Sequence, residues 1–175
     1  MFKKTFLISL IIIALILVGV SFINNNEPSS NTSGEDELIT VNTKLYFSDE
    51  LSSSLIAKEI TFDMNENEDK FYFTLKKLIL GPEDNNMYPS VNPKTVVNKV
   101  TVKDGLCTID FSDTLTEYNT GGSTRETMCL YSIVNTMCEF PEVESVIFTV
   151  NGKSISTFGQ FDMSEPYKKD MSMVN

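Results

Sequence analysis

Hydrophobic residues recur along the chain at two spacings, and each spacing predicts its own element. Val41, Thr43, Leu45 and Phe47 alternate with Asn42, Lys44 and Tyr46, the period of two that marks a half-buried strand. Ile60, Phe62 and Met64 alternate with Glu59, Thr61 and Asp63 and predict a second strand. The spacing then changes. Phe71, Leu75, Leu78 and Ile79 lie on one face of a helix over about Glu68 to Leu80, with Asn65 or Asn67 as its cap and Gly81-Pro82 as its stop. Residues 83–93, rich in Asn and Pro, form a loop. Val96, Val100 and Val102 share the next strand face with Asn98. Asp104-Gly105 turns the chain, and Cys107, Ile109 and Phe111 line the inner face of the returning strand, leaving Asp110 outward. Asn119 to Gly122 breaks this pattern. Ser123-Thr124-Arg125-Glu126 has the form of a capping box and opens a helix running to about Cys138, with Leu130, Val134 and Met137 on one side and Tyr131 and Ile133 beside them. Val146, Phe148 and Val150 form a further strand, and Asn151-Gly152 turns it into a last one near Ile155. The predicted fold class is α+β in the order β-β-α-β-β-α-β-β. One mixed or mainly antiparallel sheet carries two helices on one face.

Residues 1–23 read differently. Thr5 to Ile23 is apolar and uncharged over nineteen residues, about 28 Å as a helix, which matches a bilayer core. Lys3 and Lys4 precede it, so the expectation is an uncleaved signal-anchor, a transmembrane helix with its N-terminus in the cytoplasm and the following domain outside. A cleaved signal peptide is the rival reading, with Gly19-Val20-Ser21 as a weak cleavage candidate. No cysteine stands near the end of the run to take a lipid there. Residues 24–40 are read as a polar linker, from the composition of Asn24 to Glu37. Residues 41–160 form the folded domain, and residues 161–175 a solvated tail.

Composition narrows the chemistry. The chain has no histidine, which removes the commonest general base and zinc ligand and excludes both serine and papain-like triads. Net charge is −10, and with Lys3 and Lys4 set aside the remainder holds 12 basic and 24 acidic residues. Such a domain repels nucleic acid, and its partner is expected to be neutral or cationic. Cys107, Cys129 and Cys138 are an odd number. The last two stand nine apart on one helix, facing roughly opposite sides, so all three are read as small buried side chains. Asp110, with Ser112 and Asp113 nearby, has no second carboxylate placed opposite it by any motif. Asp63 to Asp69 has calcium-loop composition without the EF-hand spacing, and Gly121-Gly122-Ser123 is not a P-loop. No catalytic, cofactor or metal residue is therefore assigned.

Taken in order, the motifs resemble those of the GerMN domain family of sporulation and spore-germination proteins. Leu45-Tyr46-Phe47 is similar to the family's opening strand, and Leu75 to Pro82 to its helix ending in Leu-x-x-Gly-Pro. Pro93, Thr95, Val100-Thr101-Val102 and Gly105 are similar to the middle hairpin. Ile109-Asp110-Phe111-Ser112 resembles the Val-Asp-Leu-Ser stretch. Ile133 to Thr136 with Pro141 and Val143 resembles the second helix and its exit, and Val150-Asn151-Gly152 the closing turn. The likeness spans about residues 41 to 160. It implies an extracytoplasmic, envelope-associated role without an established catalytic site. Well-known members carry two such domains, and this chain has one. The expected function is non-enzymatic interaction at the outer face of the cell membrane, in sporulation, germination or envelope assembly. The expected partners are envelope proteins or cell-wall material, with binding through a sheet edge or face. Tyr46 and Tyr88 are the candidate exposed aromatics, with Asp110 beside them as a candidate binding residue. The alternatives are a module for cell-wall glycan or peptide and, less favoured, a wall-acting enzyme.

Overall fold

A computed structural model describes residues 37–175; the expected anchor and most of the expected linker lie outside the described residues. Among the described residues no helix is long and apolar enough to cross a membrane.

β1 (Leu38–Ser48) and β2 (Leu55–Asn65) form a long antiparallel hairpin. The helix α1 (Lys70–Leu80) follows. Its N-cap is Asp69, whose carboxylate accepts from the amides of Phe71 and Tyr72, rather than Asn65 or Asn67. Gly81 ends it at φ +94°, where its N–H reaches the Leu78 carbonyl. β3 (Val97–Lys103) and β4 (Leu106–Phe111) form the second hairpin through Asp104-Gly105, both residues at positive φ as a type I′ turn requires. A short helix α2 (Thr114–Asn119), absent from the sequence pattern, precedes α3 (Ser123–Met137). β5 (Ser145–Val150) then pairs parallel to β4, which requires the long crossover that α2 and α3 supply. Three two-residue strands follow: β6 (Lys153–Ser154), β7 (Thr157–Phe158) and β8 (Phe161–Asp162).

The α+β class stands, while the single sheet does not. The strands form a pair β1-β2, a four-stranded sheet β3-β4-β5-β6 and a small pair β7-β8. The reason is α3. Ten of its fifteen residues are buried, because it packs against β1, α1, α2 and β5 rather than lying on one face of one sheet. Along β1's free edge, the Tyr46 amide donates to Thr136 Oγ1 at 3.2 Å and the Tyr46 carbonyl accepts from Ser132 Oγ at 2.6 Å. Two helix hydroxyls thus stand where a neighbouring strand would have been, and they blunt the edge.

The core joins Leu45 and Phe47 of β1, Leu75 and Leu78 of α1, Ile109 and Phe111 of β4, Leu130 and Ile133 of α3 and Phe148 of β5. A β-bulge between Val97 and Lys99 changes the inner face of β3. Val97 and Val100 point inward, three residues apart, and Val96 is exposed. The segment expected to be a solvated tail is tied down instead. Tyr167 exchanges two backbone hydrogen bonds with Val146, Asn135 bonds both backbone groups of Asp170, and Asn175 donates to the Leu55 carbonyl.

Candidate binding cleft

The structure separates the three residues singled out from sequence. Tyr46 is only 1% exposed, and the expectation that it is a surface aromatic is corrected. Alternation fails at this end of β1 because α3 and the C-terminal segment cover its second face, burying Leu45 to Ser48 in succession. The Tyr46 hydroxyl donates to Glu139 Oε1 at 2.6 Å. Burial, then the bond to Glu139 and its charge, raise the phenol well above its ordinary range. Glu139 also receives the Lys169 ammonium.

Asp110 faces outward from β4 and gathers neighbours. Its Oδ1 accepts from Thr149 Oγ1 and from the Gly152 amide, each at 2.7 Å, and its Oδ2 accepts from Asn98 Nδ2 at 3.0 Å. Burial opposes ionisation here, but the three donors overrule it and the carboxyl lies below its usual range. Asp110 therefore pins the Asn151-Gly152 turn to the sheet.

A second carboxylate with the same habit is Glu126. The capping box forms only in part: Gly122 is the N-cap, Ser123 contributes no side-chain cap, and Glu126 alone reaches back. Its carboxylate accepts from the amides of Gly121, Gly122 and, across the chain, Gln160. The Gly121 amide is the largest influence, and the carboxyl lies below its usual range. Gly159 stands so close that a Cβ there would fall 2.0 Å from the Glu126 carboxyl carbon. Glu126 thus fastens the β7-β8 turn to the start of α3.

Tyr88 is 40% exposed and stands at a cleft of about 310 Å³. Ser48 and Tyr88 exchange backbone hydrogen bonds at 2.9 and 3.0 Å, which fastens the loop after α1 to the edge of β1. Below them the Ser48 and Ser90 hydroxyls share a hydrogen bond at 2.9 Å. Asn119, at the end of α2, accepts from the Asn92 amide and donates to Thr95 Oγ1, which fixes the far wall. Tyr118 stands at the same end, with the Lys94 ammonium over its ring at 5.3 Å from the centroid. Arg125, from the first turn of α3, lines the cleft and makes no ion pair with the described acidic residues. It is the chain's one arginine. Sequence reasoning passed over Arg125 and Tyr118, although a lone arginine in so acidic a chain was a usable signal.

A second groove, of about 250 Å³, lies between β2 and the end of α1 and is bridged by Lys58 and Asp84 at 2.6 Å. Cys107 and Cys129 are fully buried and Cys138 half-buried, all as free thiols, and burial pushes Cys107 up to about 12, far from a reactive thiolate. Among the described residues no cluster of three acidic, cysteine or histidine side chains could hold a metal ion.

These features define an α+β domain in which helix hydroxyls cap the edge of β1 and a polar cleft lies beside that edge. The family model described as "Germane: Sporulation and spore germination" matches residues 44–156, and the chain belongs to that family. Three solved structures share the fold. A protein described as "Putative Lipoprotein from Clostridium perfringens" is 20% identical at a TM-score of 0.54, covering 77% of this chain and 89% of that one. The tandem GerMN domains of the sporulation protein GerM from Bacillus subtilis are 24% identical at 0.57, covering 84% of this chain and 50% of that one. The first GerMN domain of the same protein is 19% identical at 0.53, covering 73% and 97%. This chain therefore spans half of the tandem structure. A comparison with curated proteins finds no match.

Proposed function

We propose that this protein is a non-enzymatic interaction domain held at the outer face of the cell membrane by its N-terminal segment, acting in sporulation, germination or envelope assembly. Family membership supports the process, and the lipoprotein description of the Clostridium perfringens relative supports an envelope setting.

The observation that carries the interaction reading is the outer edge of β2. Leu55 gives its carbonyl to Asn175, away from β1, so the alternation of an antiparallel pair turns Ala57, Glu59, Thr61 and Asp63 outward as well. The side chains of all four are exposed, and among the described residues β1 is the strand's one sheet neighbour. An extended segment of an envelope protein can add there as a further strand. A photo-crosslinking residue at Glu59 of the full chain, in intact cells, is expected to capture a discrete envelope protein. Glu59→Pro removes an outward amide that an edge strand can spare, and a crosslinker at Thr61 should then lose the same product. Capture of nothing at either position overturns the reading.

A further inference from the structure

We propose that the cleft between Tyr88, Tyr118 and Arg125 binds a sugar carrying a carboxylate. The inference is independent of the β2 edge, because no residue of β2 lines this cleft.

The first observation is electrostatic. The chain carries 24 acidic residues, yet none of those among the described residues lines this cleft, and its one arginine does. Lys94, stacked on Tyr118, brings a second cation beside the same wall. A solvated acidic surface has no physical reason to clear a concave spot of carboxylates around an unpaired guanidinium. A site for an anion does, because every nearby carboxylate would compete with the ligand. The guanidinium's flat fork suits a carboxylate held by two parallel bonds.

The second observation is the character of the remaining wall. Of its apolar members, Val91 and Met128 are at most 3% exposed, and the exposed Pro89 and Pro93 offer short ring surfaces beside the tyrosines rather than a pocket for a greasy chain. The polar members include Ser52 and Asn92, half-buried, with the buried hydroxyls of Ser48 and Ser90 behind them. Ser48 and Ser90 bond each other, and each hydroxyl oxygen keeps a further lone pair. Asn92 spends its carbonyl oxygen on the Lys94 amide and keeps its Nδ2 donors. Tyr88 and Tyr118 supply ring surface at the mouth, against which the C–H face of a pyranose can pack while its hydroxyls meet those groups. Glu117, next to Tyr118 on α2 and outside the cleft lining, raises the Tyr118 hydroxyl above its ordinary range chiefly by its charge. The volume, about 310 Å³, is at the small end of ligand sites, as one or two sugar rings require.

The walls are preformed. The Ser48–Tyr88 bridge, the Asn119 clamp and the start of α3 each fix one side, so binding does not have to order a loop.

The test is calorimetric titration of the full chain with N-acetylmuramic acid, with N-acetylglucosamine as the matched ring without the lactyl carboxylate, and with alanyl-alanine as a carboxylate without a ring. Saturable binding of the acid sugar is expected, about tenfold or more tighter than the neutral one. Arg125→Gln should bring the two sugars to equal affinity, and Arg125→Lys should fall between. Tyr88→Ala should weaken both sugars together. Equal affinity of the two sugars for the unaltered protein, no saturable binding by either, or tighter binding of the dipeptide overturns the proposal. Those three outcomes need no variant to fold.

Discussion

The β1-β2 hairpin and the β4-β5 pair are both strands with a hydrophobic face, yet they reach stability by different routes. β4 alternates cleanly: Cys107, Ile109 and Phe111 are fully buried and the residues between them half-exposed. It lies between β3 and β5, so its backbone groups are spoken for on both sides. Among the described residues β1 has strand on one edge only, and its other edge bonds to α3 and to the loop at Tyr88. Its alternation holds from Leu38 to Asn42 and vanishes from Leu45 to Ser48. The lesson is that period two reports a strand with one covered face. Where a helix covers the other face, the pattern in the sequence survives but its assignment of inside and outside does not.

The largest expected effect sets these regions against each other. Phe111 is fully buried and packs edge-on to Phe148 at 5.4 Å, so Phe111→Ala should cost about 3–5 kcal/mol. Phe62 of β2 is half-buried, with the Lys77 ammonium over its ring, and Phe62→Ala should cost about 1–2 kcal/mol. Chemical denaturation of the two variants gives the difference directly. Equal losses would mean that the hairpin is as central to stability as the four-stranded sheet.

Next comes the fastening at Glu126. Gly159 sits at φ +56°, and an added methyl would occupy the place of the Glu126 carboxylate. Gly159→Ala should therefore lose about 2–4 kcal/mol, from left-handed strain and from carboxylate contacts given up. Glu126→Gln should lose less, because the amide still accepts. If Gly159→Ala proves harmless, the β7-β8 turn is not held by Glu126.

This fastening also shows what the sequence makes legible. Both helices that carry the core, both type I′ turns and the inward faces of β4 and β5 follow from local spacing, because local spacing causes them. Glu126 was visible as a capping residue, but its bond to Gln160 joins positions 34 apart, and no local pattern carries that. The bulge that exchanges Val96 for Val97, the burial of Tyr46 under α3 and the docking of Tyr167 on Val146 are tertiary in the same sense. The cleft was half visible: Tyr88 was singled out from the sequence, whereas Arg125 and Tyr118 come to it only through the α2-α3 crossover.

A smaller effect concerns pH. Asp110 and Glu126 both have carboxyls lowered by donors in the folded protein. The unfolded chain then binds protons more readily than the folded one, so stability rises with pH across the carboxylate range. Their contribution is complete above about pH 5. It is lost as pH falls through the ordinary carboxylate values near 4 and on through the lowered ones. Thermal melts between about pH 3 and 6 should show this slope, and the double variant Asp110→Asn, Glu126→Gln should flatten it. An unchanged slope would place the acid sensitivity elsewhere, with Glu139 the next candidate, since it too is lowered by Lys169 and Tyr46 against the effect of burial.

The smallest effect has the opposite sign and returns to the first half of the fold. Thr74 is fully buried on α1, and its hydroxyl has no hydrogen-bond partner among the described residues. A buried hydroxyl left unpaired forgoes its hydration without recovering it from the protein. Valine has nearly the same shape and no hydroxyl to desolvate, and on a helix it shares threonine's branched constraint. Thr74→Val should therefore raise stability by about 0.5–1 kcal/mol, seen as a higher midpoint in denaturant at unchanged slope. Thr136 supplies the control within the same core. It is equally buried, but its hydroxyl accepts from the Tyr46 amide, so Thr136→Val should destabilise by a similar amount. Opposite signs for one substitution at two fully buried threonines would show that α3's hydroxyls replace a missing strand along β1. Equal signs would show that the edge of β1 holds without them.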